Sequence, residues 1–190
     1  NYPLNMKKSI ITFFTTLLIV TGCAQQNQDP ERNEDLSKID QFTSKKGVIV
    51  KFQDYNLESL NLLYGGYAES KIRKISRGGE SRYFLQISYK GKYDEKSASI
   101  AYEDILELLN TNELLQGELA NDVSANPEYI ENKFITDDGF QLGYYVSKGK
   151  AQWYLVLERY GSGNTIFLKN NEEIENLLLK AKNQIITLKE

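Results

Sequence analysis

The chain contains no histidine and one cysteine, Cys23. Without imidazole, a Ser-His-Asp triad and a Cys-His pair are excluded, as is a zinc site built on His or Cys ligands. Carboxylate chemistry, oxygen-ligated metals and Ser-Lys pairs remain open. The tightest acidic grouping, Asp137-Asp138-Gly139, lacks the further oxygen ligands at alternating positions that a calcium loop needs, and it reads as a hairpin turn. Tyr160-Gly161-Ser162-Gly163-Asn164 has too few glycines and no following lysine for a phosphate loop, so it too reads as a turn. No catalytic residue, metal ligand or cofactor is expected.

The side chains left for recognition are basic and aromatic. Residues 71–96 hold eight basic groups and three acids, whereas residues 103–138 hold ten acids and Lys133 as their one base. Arg82 and Lys90 share one face of an alternating segment. With Lys71, Arg73 or Lys74 beside them they would suit lipid headgroups or an anionic glycan; a solvated sheet face has the same pattern. Aromatics gather at Tyr144, Tyr145, Trp153, Tyr154 and Tyr160. Trp153 and Tyr145 are expected in the core. Tyr144 and Tyr154 fall on the opposite faces of their strands, as candidates for an exposed platform for sugar rings or a peptide.

Cys23 carries a more specific signal. Met6, Lys7 and Lys8 precede an apolar run from Ile10 to Val20, followed by Val20-Thr21-Gly22-Cys23. A basic start, a short apolar run and small residues before a cleavage point describe a secretory leader. The eleven residues from Ile10 to Val20 would span roughly 16 Å as a helix, well short of a hydrocarbon core of about 30 Å. The Val-Thr-Gly-Cys ending resembles the lipobox of bacterial lipoproteins. That resemblance implies diacylglycerol on the Cys23 sulfur, cleavage after Gly22 and acylation of the new amino terminus. It further implies a lipid-anchored, extracytoplasmic address, palmitate among the chains, and, with Ala24 after the cysteine, the outer membrane in a two-membrane host.

Loss of residues 1–22 takes Lys7 and Lys8 away and shifts the net charge from −3 to −5. An acidic exported chain is not expected to bind nucleic acid. With Cys23 committed to lipid no disulfide can form, and stability falls to an ordinary core. Residues 23–44 are polar and cannot bury enough surface to offset chain entropy, so a flexible tether is expected there.

A single α+β domain is expected over 45–190. Alternation marks strands near Val48–Gln53 and Arg82–Lys90, with a shorter one near Ser97–Ile100, before a helix from Tyr102 to about Leu119 with Ile105, Leu108, Leu109 and Leu115 as its stripe. Asn126-Pro127 breaks the pattern. Strands follow at Phe134–Thr136, Phe140–Ser147, Ala151–Glu158 and Thr165–Leu168, and Asn170 with Glu173 make a capping box for a helix to about Leu188. The halves, about 45–120 and 129–190, align at an offset of 70: Gly79 on Gly149, Tyr83 on Trp153, and, at 69 within the helices, Ile105 on Ile174 and Leu109 on Leu178. One antiparallel sheet with one helix cannot close a core, so two tandem units must pack together. This element order is similar to that of PUR-type single-stranded nucleic-acid binders; a likeness of fold does not carry function.

Three functional readings follow. The first is a lipid-anchored, non-enzymatic binding or assembly module whose partner is an envelope protein or an anionic glycan. The alternatives are an envelope enzyme using carboxylates or an oxygen-ligated metal, and a purely structural, self-associating protein.

Overall fold

The computed structural model describes residues 36–190. The leader (6–22), Cys23 and the tether as far as residue 35 lie outside the described residues. The end of the expected tether is ordered: Lys38–Thr43 form helix α1, with Ser37 capping the Asp40 N–H and Phe42 buried. Six residues are far fewer than the roughly 12–15 that an isolated helix needs. Helix α1 therefore exists because of what it docks on.

Two antiparallel meanders, each followed by a helix, make a mixed α+β domain. The first contains β1 (Val50–Asn56), β2 (Leu60–Asn61), β3 (Tyr67–Arg77), β4 (Glu80–Lys90) and β5 (Glu95–Ala101), then α2 (Tyr102–Ala125). Its sheet runs β1-β3-β4-β5, with β2 paired to β3. The second contains β6 (Ile130–Ile135), β7 (Gln141–Ser147), β8 (Lys150–Val156) and β9 (Thr165–Phe167) in that spatial order, then α3 (Glu172–Lys189). No helix among the described residues is long and apolar enough to cross a membrane.

The two units share their central hairpin at the offset seen in the sequence. Arg77 pairs with Glu80 around Gly78-Gly79, and Ser147 pairs with Lys150 around Lys148-Gly149. All four turn residues have positive φ, between 52° and 88°, the backbone of a two-residue turn whose twist matches its strands. Strand β3 had no alternating apolar signal. Its inward positions run Ala68, Ser70, Ile72, Lys74 and Ser76, of which Ile72 is the one large apolar side chain, and its buried Ile75 lies on the outward face beneath α1.

Both helices serve both units. Helix α2 touches β4 and β5 of its own sheet and β6, β7 and β8 of the second, while α3 touches β2, β3 and α2. The inner faces and both helix stripes merge into one core holding Ile72, Leu85, Ile105, Leu108, Leu142, Leu155, Leu178 and Ile185. The sheets are also stitched edge to edge, where Leu62 bridges Leu168 and the Leu63 N–H donates to the Phe167 carbonyl at 2.8 Å. Helix α2 runs six residues past its expected end, to Ala125, because Leu119 and Val123 still reach the core. It stops at Asn126, left-handed with φ 46°, directly before Pro127. The capping box at α3 is half formed. Asn170 accepts from the Glu173 N–H at 3.3 Å, but the Glu173 carboxylate turns to the backbone and side chain of Asn61.

Leu178 is fully buried, whereas its counterpart Leu109 is only partly so. Leu178→Ala should therefore destabilise the domain by about 2 to 5 kcal/mol and Leu109→Ala by about 1 kcal/mol. Urea unfolding of the two variants measures the difference; equal losses would contradict the asymmetric packing.

Candidate functional site

The outward face of the first sheet carries the candidate site. Cross-strand register puts Arg82, Phe84, Gln86, Ser88 and Lys90 of β4 on this face, level with Ile75, Arg73, Lys71 and Glu69 of β3 and with Ala101, Ser99, Ser97 and Glu95 of β5. At one end α1 covers the sheet, and Phe42 packs with Ile75, Phe84 and Ala101 in a second, smaller core. The Arg77 and Arg82 guanidinium carbons lie 4.6 Å and 5.6 Å from the centre of the Phe42 ring. Arg77 also donates to the Phe42 carbonyl at 2.5 Å.

Lys38 fastens the helix at its other end. Its ammonium meets the buried Asp104 at 2.5 Å and Asp137 at 3.5 Å, and its backbone N–H donates to both Asp138 oxygens at 3.0 Å and 3.1 Å. Burial pulls the Lys38 pKa down, but the hydrogen bond and charge of Asp104, with Asp137 and Glu103, outweigh it and leave the ammonium raised. Burial raises Asp138, against the lowering effect of the Lys38 backbone and charge. These acids come from the start of α2 and the β6–β7 turn, so α1 is tied to both units.

Between α1, the β3–β4 hairpin and the ends of α2 and α3 lies a cleft of about 570 Å³ lined by Lys38, Arg77, Arg82, Tyr83, Tyr102 and Lys189, among others. The Lys189 ammonium sits 3.5 Å from the Tyr102 ring centre and 5.7 Å from that of Tyr83. Glu80 and Glu103 also line it; Glu80 lies 4.0 Å from Arg77. Arg82 and Lys189 form no ion pair among the described residues. The cleft is therefore cationic with aromatic walls, which suits an anionic group attached to a ring or an apolar edge.

The structure divides the basic region read from the sequence. Arg82 is exposed in the cleft. Lys90, exposed on the same face, lies eight residues along β4, about 26 Å away, in a separate depression. Lys71 and Arg73 both bind Asp54, at 2.8 Å and 2.7 Å. The Arg73 hydrogen bond, opposed by burial and reinforced by Lys71, holds that carboxyl well below the usual carboxylate range. Lys74 points to the other face, over Tyr83. The contributions of Phe42, Tyr102 and Lys189 were not read from the sequence. The visible signal was a Phe and an Ile three residues apart in an otherwise polar stretch.

The aromatic expectation is corrected. Tyr144 is not exposed: it is fully buried opposite Trp153, ring centres 4.9 Å apart. Its hydroxyl donates to Asp122 at 2.6 Å and accepts from Asn132 at 2.9 Å. Tyr145 takes the outward face instead, half-buried and stacked on Tyr129 at 5.8 Å. Tyr154 does face outward, but only 4% of it is exposed. It lies directly opposite Gly143, where a side chain would strike the Asn132 carbonyl and Lys133 of β6, and its hydroxyl donates to Glu131 at 2.5 Å. Asp137 and Asp138 form the expected turn, and among the described residues no group of three or more His, Cys, Asp or Glu side chains could hold a metal ion.

Neither a protein-family model, nor a curated protein, nor a solved structure matches this chain.

Burial, reinforced by the Asp122 hydrogen bond and opposed by that of Asn132, pushes the Tyr144 phenol up to about 12. Tyr154 is raised as well, first by burial and then by Glu131. A folded pKa above the unfolded value near 10 means the stabilisation is complete below about pH 10 and is lost as pH rises through about 12. Denaturant midpoints should fall across that window, and Tyr144→Phe should fall less steeply than the parent. Parallel curves for the two proteins would show that Tyr144 does not set the alkaline limit.

Proposed function

We propose that this chain is a lipid-anchored, extracytoplasmic binding module whose cleft takes an anionic group of an envelope glycan. The observation that carries the reading is the gathering of Lys38, Arg77, Arg82 and Lys189 with four aromatic rings around one concave space, two of these cations having no carboxylate partner among the described residues. A cation left without a partner beside an aromatic wall is available to a ligand without first breaking an ion pair. The placing of the acids adds support. Asp104, Asp137 and Asp138 surround Lys38 and hold α1, so they are structural acids and not a converging catalytic pair.

Attachment rests on the leader and the lipobox-like Val20-Thr21-Gly22-Cys23. Several acyl chains on one cysteine meet the roughly two signals that stable anchoring takes. Helix α1, the first described element, forms one wall of the cleft.

Two measurements test these claims separately. Cys23→Ser should abolish lipid labelling and move the protein from the membrane to the soluble fraction; unchanged retention, with no label on the parent, would remove the anchor. In the second, polygalacturonate should bind the soluble domain with an affinity that falls steeply as salt rises, because exposed charges are screened beyond about 10 Å at 0.1 M. Arg82→Glu and Lys189→Glu should each weaken binding about tenfold, equivalent to about 1.4 kcal/mol. Reversed variants that bind as well as the parent would overturn the cleft assignment.

A further inference from the structure

The far end of the same sheet face, where Lys90 lies, is concave in its own right. Two adjoining depressions of about 570 and 520 Å³ share Tyr67, Glu69, Ser88 and Glu95 and form one trough. It is bounded on one side by the Gly65-Gly66 turn that leads into β3 and on the other by Gly91, where β4 ends.

The polar groups in this trough stand in an unusual state. Lys90 lies directly opposite Glu95 in the β4–β5 register, yet among the described residues neither of them nor Glu69 forms an ion pair. Along the middle of the face the opposite rule holds, since Lys71 and Arg73 are both engaged by Asp54. Lys90, Glu69 and Glu95 are exposed. Lys71 shares the single Asp54 carboxylate with Arg73, so the trough is lined by two acids, Glu69 and Glu95, and two bases, Lys90 and the tied Lys71, and is close to neutral. That balance offers nothing to a polyanion. It does offer two carboxylates that accept hydroxyl hydrogens, an ammonium that donates to hydroxyl oxygens, and the Ser88 hydroxyl that can do either. Neighbouring strands lie about 4.8 Å apart and alternate residues about 6.7 Å apart along a strand, so these groups form a grid on the scale of a sugar ring. Tyr67 is 57% exposed at its edge, a ring with one apolar face and a polar tip.

We propose that this trough is a binding site for a neutral, hydroxyl-rich glycan, with one sugar stacked on Tyr67 and neighbouring hydroxyls held by Glu69, Ser88, Lys90 and Glu95. The site is independent of the cationic cleft, about 26 Å away along β4, and it differs from the cleft in the chemistry it selects.

Amide NMR titration of the 36–190 domain with neutral gluco-, manno-, galacto- and N-acetylglucosamine oligosaccharides tests the assignment. At about 10 mM even a millimolar site is mostly filled. At least one series should shift amides of residues 65–70, 86–91 and 95–97, with an affinity that salt hardly changes. Tyr67→Ala and Glu69→Gln should each weaken it about tenfold, and Arg82→Glu should leave it unaltered. Both substituted side chains are exposed, so a retained amide spectrum separates lost binding from lost fold. The proposal is overturned if none of the four series shifts these amides, or if Tyr67→Ala binds as well as the parent. It is equally overturned if only polygalacturonate shifts them in a salt-dependent way, which would make the trough an extension of the anionic site. Loss of polygalacturonate binding at the cleft, with neutral binding intact, would instead count against the cleft reading alone.

Discussion

Side chains in a strand alternate between faces, so a hairpin with two residues in its turn commits every residue on both strands to one side. In this domain that commitment is made twice, at Gly78-Gly79 and at Lys148-Gly149. The first turn sets Arg82 and Phe84 on the outward face, level with Ile75 and Arg73. Phe42 of α1 can then bury against Phe84 and Ile75, and Arg82 can stand at the rim of a cleft. The second sets Tyr144 across from Trp153, facing inward, and sends Tyr145 and Tyr154 outward. A one-residue register slip in either hairpin would carry one strand's core residues to its outer face.

The helices impose a second constraint. Each sheet buries one face, and the helix following it is too narrow to cover that face alone. Helix α2 resolves this by lying across both sheets, and α3 by reaching β2 and β3 of the first unit. The inner core is thereby shared, and neither unit can be expected to fold without the other. The cleft inherits this dependence, because Arg77, Arg82 and Tyr83 come from the first sheet, Tyr102 from the start of α2 and Lys189 from the end of α3. The latch of α1 spans the same junction, with Asp104 from one unit and Asp137 and Asp138 from the other.

What the sequence made legible was the periodic part. Alternation gave β4 and β8, the stripes gave α2 and α3, and the matching glycines gave the repeat. Strand β3 escaped because its inward positions, Ile72 apart, are small or polar and its apolar Ile75 belongs to a second core that only α1 completes. The parity of β7 was available in principle: counting back from a two-residue turn at 148–149 pairs Tyr144 with Trp153. Alternation within β7 alone leaves that parity open, and the expectation of Tyr145 in the core takes the wrong one. The burial of Tyr154 was not available by any count, since it depends on the Tyr145 ring 6.5 Å away and on Glu131 capturing the hydroxyl. The cleft was half legible. Arg82 was visible as a basic strand residue, but Lys189 is more than a hundred residues distant in sequence and meets it only through the interlocked helices.

Local density of basic residues was a poor guide to which charges are free. In the stretch 71–96, Lys71 and Arg73 are engaged by Asp54, Lys96 by Asp94 and Glu158, and Arg77 in part by Glu80. Exposed pairs of this kind contribute little stability, typically about 0 to 1 kcal/mol, yet along the middle of the face Asp54 offsets one of the two charges of Lys71 and Arg73 and ties up both. Among the described residues, charged groups without an ion-pair partner stand at its two ends, Arg82 at one and Glu69, Lys90 and Glu95 at the other. At the α1 end the charge is positive and set against aromatic rings; at the Tyr67 end both signs stand apart beside hydroxyls. An isolated ammonium or carboxylate on a sheet is ordinary. Groups that decline a partner within the same concave space are better placed to meet a ligand, because a ligand binding there need not displace an existing ion pair. On that argument the recognition capacity of this domain follows the geometry of its unpaired charges, and the ion-paired centre of the sheet keeps the two ends chemically distinct.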